Sequence, residues 1–247
     1  RACIKKGGLD FLEDGEYDVV CFQETKATEK QVTVPFPLAE LYPFRSWRST
    51  TGITQRKGLS GTSIWSKTEP IQVFDVPDFD TEGRITAVEF ENVIVVTVYT
   101  PNSQALNSER LLYRRDFWDP QFLAYICGLK EKKHTIVCGD MNVAYDDRDI
   151  HKPEKRKNTI GFLESEKEGL RRYFENGFTD GLRVFHQEGG IYTFWDQKIK
   201  VFRERNLGWR IDYFLVDNEI LSELKACDVH NKYMGSDHCP ISCEVEL

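Results

Sequence analysis

Residues 136–142 read Ile136-Val137-Cys138-Gly139-Asp140-Met141-Asn142, an apolar run that stops on two polar side chains. The run ahead of Gly139 is apolar with β-branched residues, the composition of a strand covered on both faces. Gly139 lets the backbone turn or come close to a neighbour. On an extended backbone Asp140 and Asn142, two apart, point the same way. A carboxylate only accepts hydrogen bonds, whereas an amide both donates and accepts, so the pair suits a water beside a developing negative charge. The same two residues would also serve as caps of a loop or a helix start, and both readings stand on this stretch alone.

The design recurs upstream in Asp18-Val19-Val20-Cys21-Phe22-Gln23-Glu24, an apolar strand that also ends on a carboxylate. Two strands of one sheet with acids at the same end begin to define a site. Residues 4–12 predict a short amphipathic helix. Further strands are expected over 44–47 and 61–65, separated by a polar loop through Thr51, Gly52 and Gly58. Residues 84–90 and 93–99 form a hairpin across a two-residue Glu91-Asn92 turn. The second of these strands is apolar throughout, hence central, and ends in the polar loop Tyr99-Thr100-Pro101-Asn102.

A helical pattern over 108–129, with Ser108 as its cap and Asp119-Pro120 as a kink or restart, leads into the central strand. A second helix over 164–176 is stopped by Gly177. Phe194-Trp195 and a basic loop over 198–205 follow, then a strand over 208–216 with Asp212 near its start. After Gly235-Ser236-Asp237-His238-Cys239-Pro240, the apolar Ile241, Cys243, Val245 and Leu247 alternate with polar residues, a strand with one wet face. The class is α/β, with two packed sheets flanked by helices.

At 247 residues, 40% of them hydrophobic and 30% charged, the chain has material for one large core. No apolar run approaches the roughly 20 residues of a membrane span, and no signal peptide is seen ahead of Arg1-Ala2-Cys3. An intracellular protein is therefore expected, in cytoplasm and nucleoid or in the nucleus according to the organism, with no membrane partner. Seven scattered cysteines without CxxC or zinc-type spacing read as small core residues of a reduced compartment. The formal charge of −7 argues mildly against nucleic-acid binding, yet basic residues can gather on one face. Candidates are Lys152, Lys155, Arg156 and Lys157, or Arg203, Arg205 and Arg210.

Glu24, Tyr99, Asn102, Asp140, Asn142, Asp212, Asp237 and His238 all lie at strand ends or adjoining loops. Each alone has a plain structural reading: Glu24 as a solvated strand end, His238 as a satisfied histidine. Together they make an inventory for phosphodiester hydrolysis, which needs oxygen ligands for a hard cation, a base for water and donors for the phosphate.

Five stretches, taken in order, resemble the successive signatures of the exonuclease III type of apurinic/apyrimidinic endonuclease. They are Cys21-Phe22-Gln23-Glu24-Thr25-Lys26, Tyr99-Thr100-Pro101-Asn102, Cys138-Gly139-Asp140-Met141-Asn142-Val143-Ala144, Gly208-Trp209-Arg210-Ile211-Asp212-Tyr213 and Gly235-Ser236-Asp237-His238-Cys239-Pro240-Ile241. That type belongs to the endonuclease/exonuclease/phosphatase superfamily. The resemblance implies a four-layered α/β sandwich of DNase I-like fold, a single domain over residues 1–247 with two mixed sheets packed face to face.

It also implies roles. Glu24 is the principal ligand of Mg2+, with Mn2+ as a substitute, and Asp237 is a ligand or outer acid. Asp140 positions and deprotonates the attacking water, and Asn142 orients it and bonds the phosphate; both are alternatively metal ligands. His238 donates to a non-bridging oxygen while Asp212 sets its tautomer. Tyr99 and Asn102 complete the phosphate cradle. Phe194, Trp209 and Ile211 form an apolar pocket for a flipped, base-less sugar. The implied activity is Mg2+-dependent incision of double-stranded DNA 5′ to an abasic or damaged site, leaving a 3′-hydroxyl, with 3′-to-5′ exonuclease or 3′-end trimming, by a monomer.

Departures sharpen the expectation. The family's opening strand, ending in Trp-Asn-x-(Asn/Asp)-Gly, would precede Arg1. A core strand and a metal-side asparagine are therefore expected upstream, since a sheet without a central strand bares an apolar edge. The loop 197–206 differs in length from that of relatives, and Gln104 and Ala105 stand where some carry a basic DNA wedge. Two other readings stay open: a lipid head-group phosphatase of the same fold, against which Gly208-Trp209-Arg210-Ile211-Asp212 speaks, and a catalytically silent DNA-binding module.

Overall fold

Three sheets carry the polar strand ends. β1 (Val19–Gln23), β2 (Phe44–Arg48) and β3 (Thr62–Ser66) form an antiparallel sheet in the order β1-β3-β2. The next six strands are β4 (Gln72–Val73), β5 (Ile85–Glu89), β6 (Ile94–Tyr99), β7 (Thr135–Asp140), β8 (Phe178–Asp180) and β9 (Asp212–Asp217). They form a mixed sheet in the order β4-β5-β6-β7-β9-β8, with β6 and β7 its parallel pair. β10 (Leu224–Val229) and β11 (Ile241–Val245) make a two-stranded sheet. This computed structural model describes residues 2–50, 58–197 and 201–247.

The three- and two-stranded sheets lie side by side against one face of the six-stranded sheet. α1 (Phe11–Asp14) and α2 (Leu38–Leu41) cover the outside of the three-stranded sheet, where Leu12, Leu38 and Tyr42 pack on Val20 and Trp65. On the other face of the six-stranded sheet lie α3 (Glu109–Tyr113), α4 (Asp119–Lys130) and α5 (Glu164–Glu175). Phe122 and Ile126 of α4 and Tyr173 of α5 meet Val96, Val98 and Val137 there. Each fully buried apolar side chain of this kind stabilises the fold by about 1.5–3 kcal/mol. The result is the four-layered, DNase I-like α/β sandwich that the sequence led us to expect.

The layer opposite the six-stranded sheet is divided where one continuous sheet was expected. Among the described residues β1 pairs only with β3 and β11 only with β10. Between them runs a cavity of about 1270 Å3, walled by β1 and β11 and floored by Ile136, Cys138 and Phe214.

Local rules explain the remaining departures from the sequence pattern. The helix expected over 4–12 is broken by Gly7, whose φ of 80° leaves a 3-10 turn over Ile4–Lys6 and the separate α1. The helix expected over 108–129 starts as foreseen, with the Ser108 hydroxyl accepting from Leu111 N at 3.0 Å. It then widens into a π turn over Arg114–Trp118 and resumes as α4. The wide turn sits just ahead of Pro120, whose missing N–H and bulky ring oppose a regular α turn.

Regular pairing in the strand expected over 208–216 begins only at Asp212; Trp209 instead bridges Phe194 and Ile150 singly. β10 escaped the sequence reading because a register shift between Leu224 and Ala226 breaks its alternation. Within the basic loop expected over 198–205, Val201–Glu204 form a helical turn, while residues 198–200 lie outside the described residues, as do Thr51 and Gly52 of the earlier loop. No helix among the described residues is long and apolar enough to cross a membrane.

Candidate active site

Strand register alone assembles the centre of the site. Tyr99 of β6 stands beside Asp140 of β7, and Asp140 beside Asp212 of β9, so three polar residues form one row across the sheet. Close approach of β6 and β7 explains Gly139: its φ is 136°, and a Cβ there would lie 2.1 Å from the Val98 carbonyl oxygen.

Beyond Asp140 the chain does not stay extended. Asn142 has φ 50°, the left-handed region that asparagine tolerates better than most residues. Asp140 and Asn142 therefore meet through a tight turn and not through strand alternation. Asn142 N donates to Asp140 Oδ1 at 2.7 Å, and Asn142 Nδ2 donates to Asp140 Oδ2 at 3.1 Å. The rest of the Asn142 amide is occupied as well: Nδ2 donates to Thr100 O at 2.8 Å, and Oδ1 accepts from Asn102 Nδ2 at 2.9 Å. The expected bonds from Asn142 to water, phosphate or metal would have to displace these. As it stands, Asn142 aims the Asp140 carboxylate.

His238 comes from the loop before β11. Its Nδ1 lies 2.8 Å from Asp212 Oδ2, and its ring stands 5.0 Å from that of Phe194. With Nδ1 engaged, Nε2 is the nitrogen left for the cleft. Burial opposes charge on the ring, but Asp212, Asp140 and Asp237 outweigh it and push the pKa up to about 10. The Asp140 pKa rises as well, toward the neutral acid: burial, then the nearby Asp212, raise it to about 7, against the pull of His238 and the Asn142 amide. Asp140 and His238 thus titrate as an interacting pair.

Glu24 follows β1 with φ 51°. Lys26 Nζ donates to its Oε2 at 2.7 Å, and the Tyr99 hydroxyl donates to its Oε1. Burial would raise the Glu24 pKa, but these two bonds hold it below the ordinary value. Burial, Glu24 and Asp140 raise the Tyr99 pKa, which keeps its hydroxyl a neutral donor.

Glu24, Tyr99, Asn102, Asp140, Asn142, Asp237 and His238 line one cleft of about 750 Å3, and Asp212 sits behind His238. Phe194, Trp209 and Ile211 form its apolar wall, packed over Ala144, Ile150 and Phe162. Of the basic residues considered from the sequence, Lys152 and Arg156 line the cleft, with the Arg156 guanidinium 5.9 Å from the centre of the Trp209 ring. Arg203 and Arg210 are used elsewhere. Arg203 donates to the carbonyls of Asn231, Tyr233 and Ser236 and so holds the loop that carries His238. Arg210 is buried between Asp149 and Asp180.

Several supporting residues carried no sequence signal. Arg114, on the π turn, donates to Met141 O at 2.6 Å and to Asn142 O at 2.9 Å. Buried Glu166 accepts from Ser103, next to Asn102, and from the amide of Gly161. The Thr193 hydroxyl accepts from the amides of Ile211 and Asp212. Lys26 belongs to the same stretch as Glu24, and its separation of two from that carboxylate is the one sequence clue to their pairing.

Residues 9–238 match the Endonuclease/Exonuclease/phosphatase family. The chain is 39% identical to the exodeoxyribonuclease of Bacillus subtilis over 252 residues, covering all of this chain and 96% of that protein. It is 38% identical to the DNA repair nuclease APEX1 of Danio rerio over 246 residues, covering 98% of this chain and 77% of that one. Among solved structures, an AP endonuclease from Archaeoglobus fulgidus superimposes with a TM-score of 0.84 at 28% identity, covering 97% of this chain and 93% of the other. The chain belongs to the Endonuclease/Exonuclease/phosphatase family and is a phosphodiester hydrolase of the exonuclease III, apurinic/apyrimidinic endonuclease type.

Proposed function

We propose that the protein is a Mg2+-dependent DNA repair endonuclease that cuts the backbone of double-stranded DNA 5′ to an abasic site and leaves a 3′-hydroxyl. Trimming of 3′ ends and 3′-to-5′ exonuclease action would use the same residues. The observation that carries this reading is the row Tyr99–Asp140–Asp212 with His238 bonded to its end, set beside the apolar wall of Phe194, Trp209 and Ile211.

The donor set fits a hard divalent cation. Four carboxylates, Glu24, Asp140, Asp212 and Asp237, surround a single imidazole, and mutual repulsion contributes to lifting Asp140. Oxygen-only donors and surplus negative charge suit Mg2+, with Mn2+ as a substitute. Glu24 and Asp237 would hold the ion, with Asp140 and Asn142 as further candidates. When bound, it supplies charge neutralisation at the phosphate and the leaving oxygen.

The remaining work falls to the chain itself. Asp140, buried and poised near neutral pH, takes the proton of the attacking water. Asn142 and Asn102 fix that carboxylate through their bonded amides. His238, kept protonated by Asp212, donates from Nε2 to a non-bridging oxygen, where charge grows as the water adds. The Tyr99 hydroxyl stays protonated and donates nearby. Lys152 and Arg156 hold backbone phosphates, and the apolar wall accepts a base-less sugar that an intact base would overfill.

On this reading residues 1–247 are one domain acting as a monomer inside the cell, and an extended strand in the slot between β1 and β11 completes the second sheet. Such a strand would pair the two open edges and close the cavity. The test is gel cleavage of a duplex carrying one abasic analogue, in Mg2+ and in chelator. Nicking that requires the metal and leaves an extendable 3′ end is expected. No nicking in Mg2+, or equal nicking in chelator, overturns the reading. A lipid head-group assay run alongside tests the other substrate class.

A further inference from the structure

At the far end of β7 and β9 from the cleft, His134, Asp217 and Glu219 come together on residues that the nuclease reading leaves unused. One ligand atom of each lies within 4.8 Å of the other two. His134 Nδ1 stands 3.6 Å from Asp217 Oδ2 and 3.6 Å from Glu219 Oε2, too far for hydrogen bonds.

Asp217 makes this more than an acidic patch. Its side chain is fully buried, and its two oxygens differ. Oδ1 accepts from Glu219 N at 3.1 Å and faces Lys130 Nζ at 3.3 Å. Oδ2 has no hydrogen-bond partner among the described residues and points at His134 and Glu219. A buried carboxylate oxygen left unpaired costs free energy, and native structures rarely tolerate one without a ligand.

We infer that His134 Nδ1, Asp217 Oδ2 and Glu219 Oε2 form a second metal site, for a zinc-class divalent transition ion. One imidazole and two carboxylates suit Zn2+, which keeps tetrahedral geometry with mixed nitrogen and oxygen ligands. The imidazole discriminates against Mg2+, which prefers an all-oxygen shell. His134 and Glu219 are 41% and 70% exposed, so the outer positions open to water. The ion would tie the start of β7 to the end of β9. Lys130 neutralises the other face of Asp217 and keeps the affinity moderate.

The test titrates Zn2+ into the full chain by calorimetry in millimolar Mg2+, with thermal unfolding and Co2+ absorption as independent readouts. A single zinc event with a rise in Tm is expected. Both His134→Ala and Asp217→Asn should weaken it by about 10-fold or more, and His134→Ala, which removes an exposed ring, should do so without loss of fold. Glu24→Gln, altered in the cleft, should keep it. No zinc event in the unaltered chain, an event unchanged in His134→Ala, or one lost only in Glu24→Gln overturns the site.

Discussion

The two ends of β9 carry the same pair of residue types and behave differently. At its start, Asp212 meets His238 Nδ1 at 2.8 Å, and the surrounding acids keep the ring charged. At its end, Asp217 meets His134 Nδ1 at 3.6 Å, and one buried oxygen stays unpaired. Residue type does not separate them; distance and surroundings do. Below about 3 Å an Asp–His pair is a charge-assisted hydrogen bond that holds a proton. Opened by less than an ångström, the same atoms become an array with room for a cation. One end of the strand is built to keep a proton, and the other, on the inference above, to hold a metal.

The sharpest way to break this comparison is to remove the proposed base, Asp140, beside the proton-holding end. Asp140→Asn keeps the shape, and its one amide oxygen can still accept from Asn142 N. It gives up the second Asn142 bond and cannot take a proton, so cleavage should fall by ~10³-fold or more while circular dichroism is unchanged. Full activity would take Asp140 out of the chemistry. The next largest effect is on stability. Arg210, two residues before Asp212, is fully buried and bonds both Asp149 and Asp180, with bonds of 2.7–3.1 Å. Arg210→Met leaves those carboxylates without their shared partner and should cost about 3–5 kcal/mol in denaturant unfolding. A loss under ~1 kcal/mol would mean that Arg183, which also bonds Asp149, carries that network alone.

How much of this could be read in the sequence depends on the range of each contact. The apolar run into Asp140, the hairpin before Tyr99 and the strand bearing Asp212 follow from period and end residues, so the central row was legible. The polarity of Asn142 was legible, but its left-handed turn was not, because asparagine allows that conformation without demanding it. Arg114 was hidden for another reason: it looks like any helical arginine, and its partners Met141 and Asn142 lie in a distant stretch. The divided second layer was foreshadowed only by the resemblance, since no single strand announces which edge it lacks. The cluster at His134, Asp217 and Glu219 lacks motif spacing and exists only because β7 and β9 run antiparallel.

Asp212→Asn tests the proton-holding pair directly. With its first favourable partner neutral, the His238 pKa should fall from about 10 toward the ordinary 6.5. On the proposed mechanism cleavage needs the protonated ring, so the alkaline limb of the rate profile should move toward lower pH, with a rate loss of ~10–100-fold at neutral pH. Stability gives the matching sign. A histidine whose folded pKa is raised contributes stability that is complete below about 6.5 and is lost as pH rises through about 10. That slope should flatten in Asp212→Asn, whereas a purely structural Asp212 would lower the rate without moving the limb.

The smallest effect is expected at the other end, and its smallness is the point. Asp212 and Asp217 are five residues apart on an extended strand, which puts the two ends roughly 17 Å apart. Across that distance, with solvent around His134, screened electrostatics leave little coupling to the cleft. His134→Ala should therefore change Mg2+-dependent cleavage by less than ~2-fold. In chelator it should also change stability by under ~1 kcal/mol, because a half-exposed imidazole 3.6 Å from its acids forms a weak ion pair. Repeated with zinc present, the same comparison should show the unaltered chain gaining stability by mass action and the variant gaining none. A variant that loses cleavage in step with zinc binding would show that β9 couples its two ends, and the division of labour between them would fail.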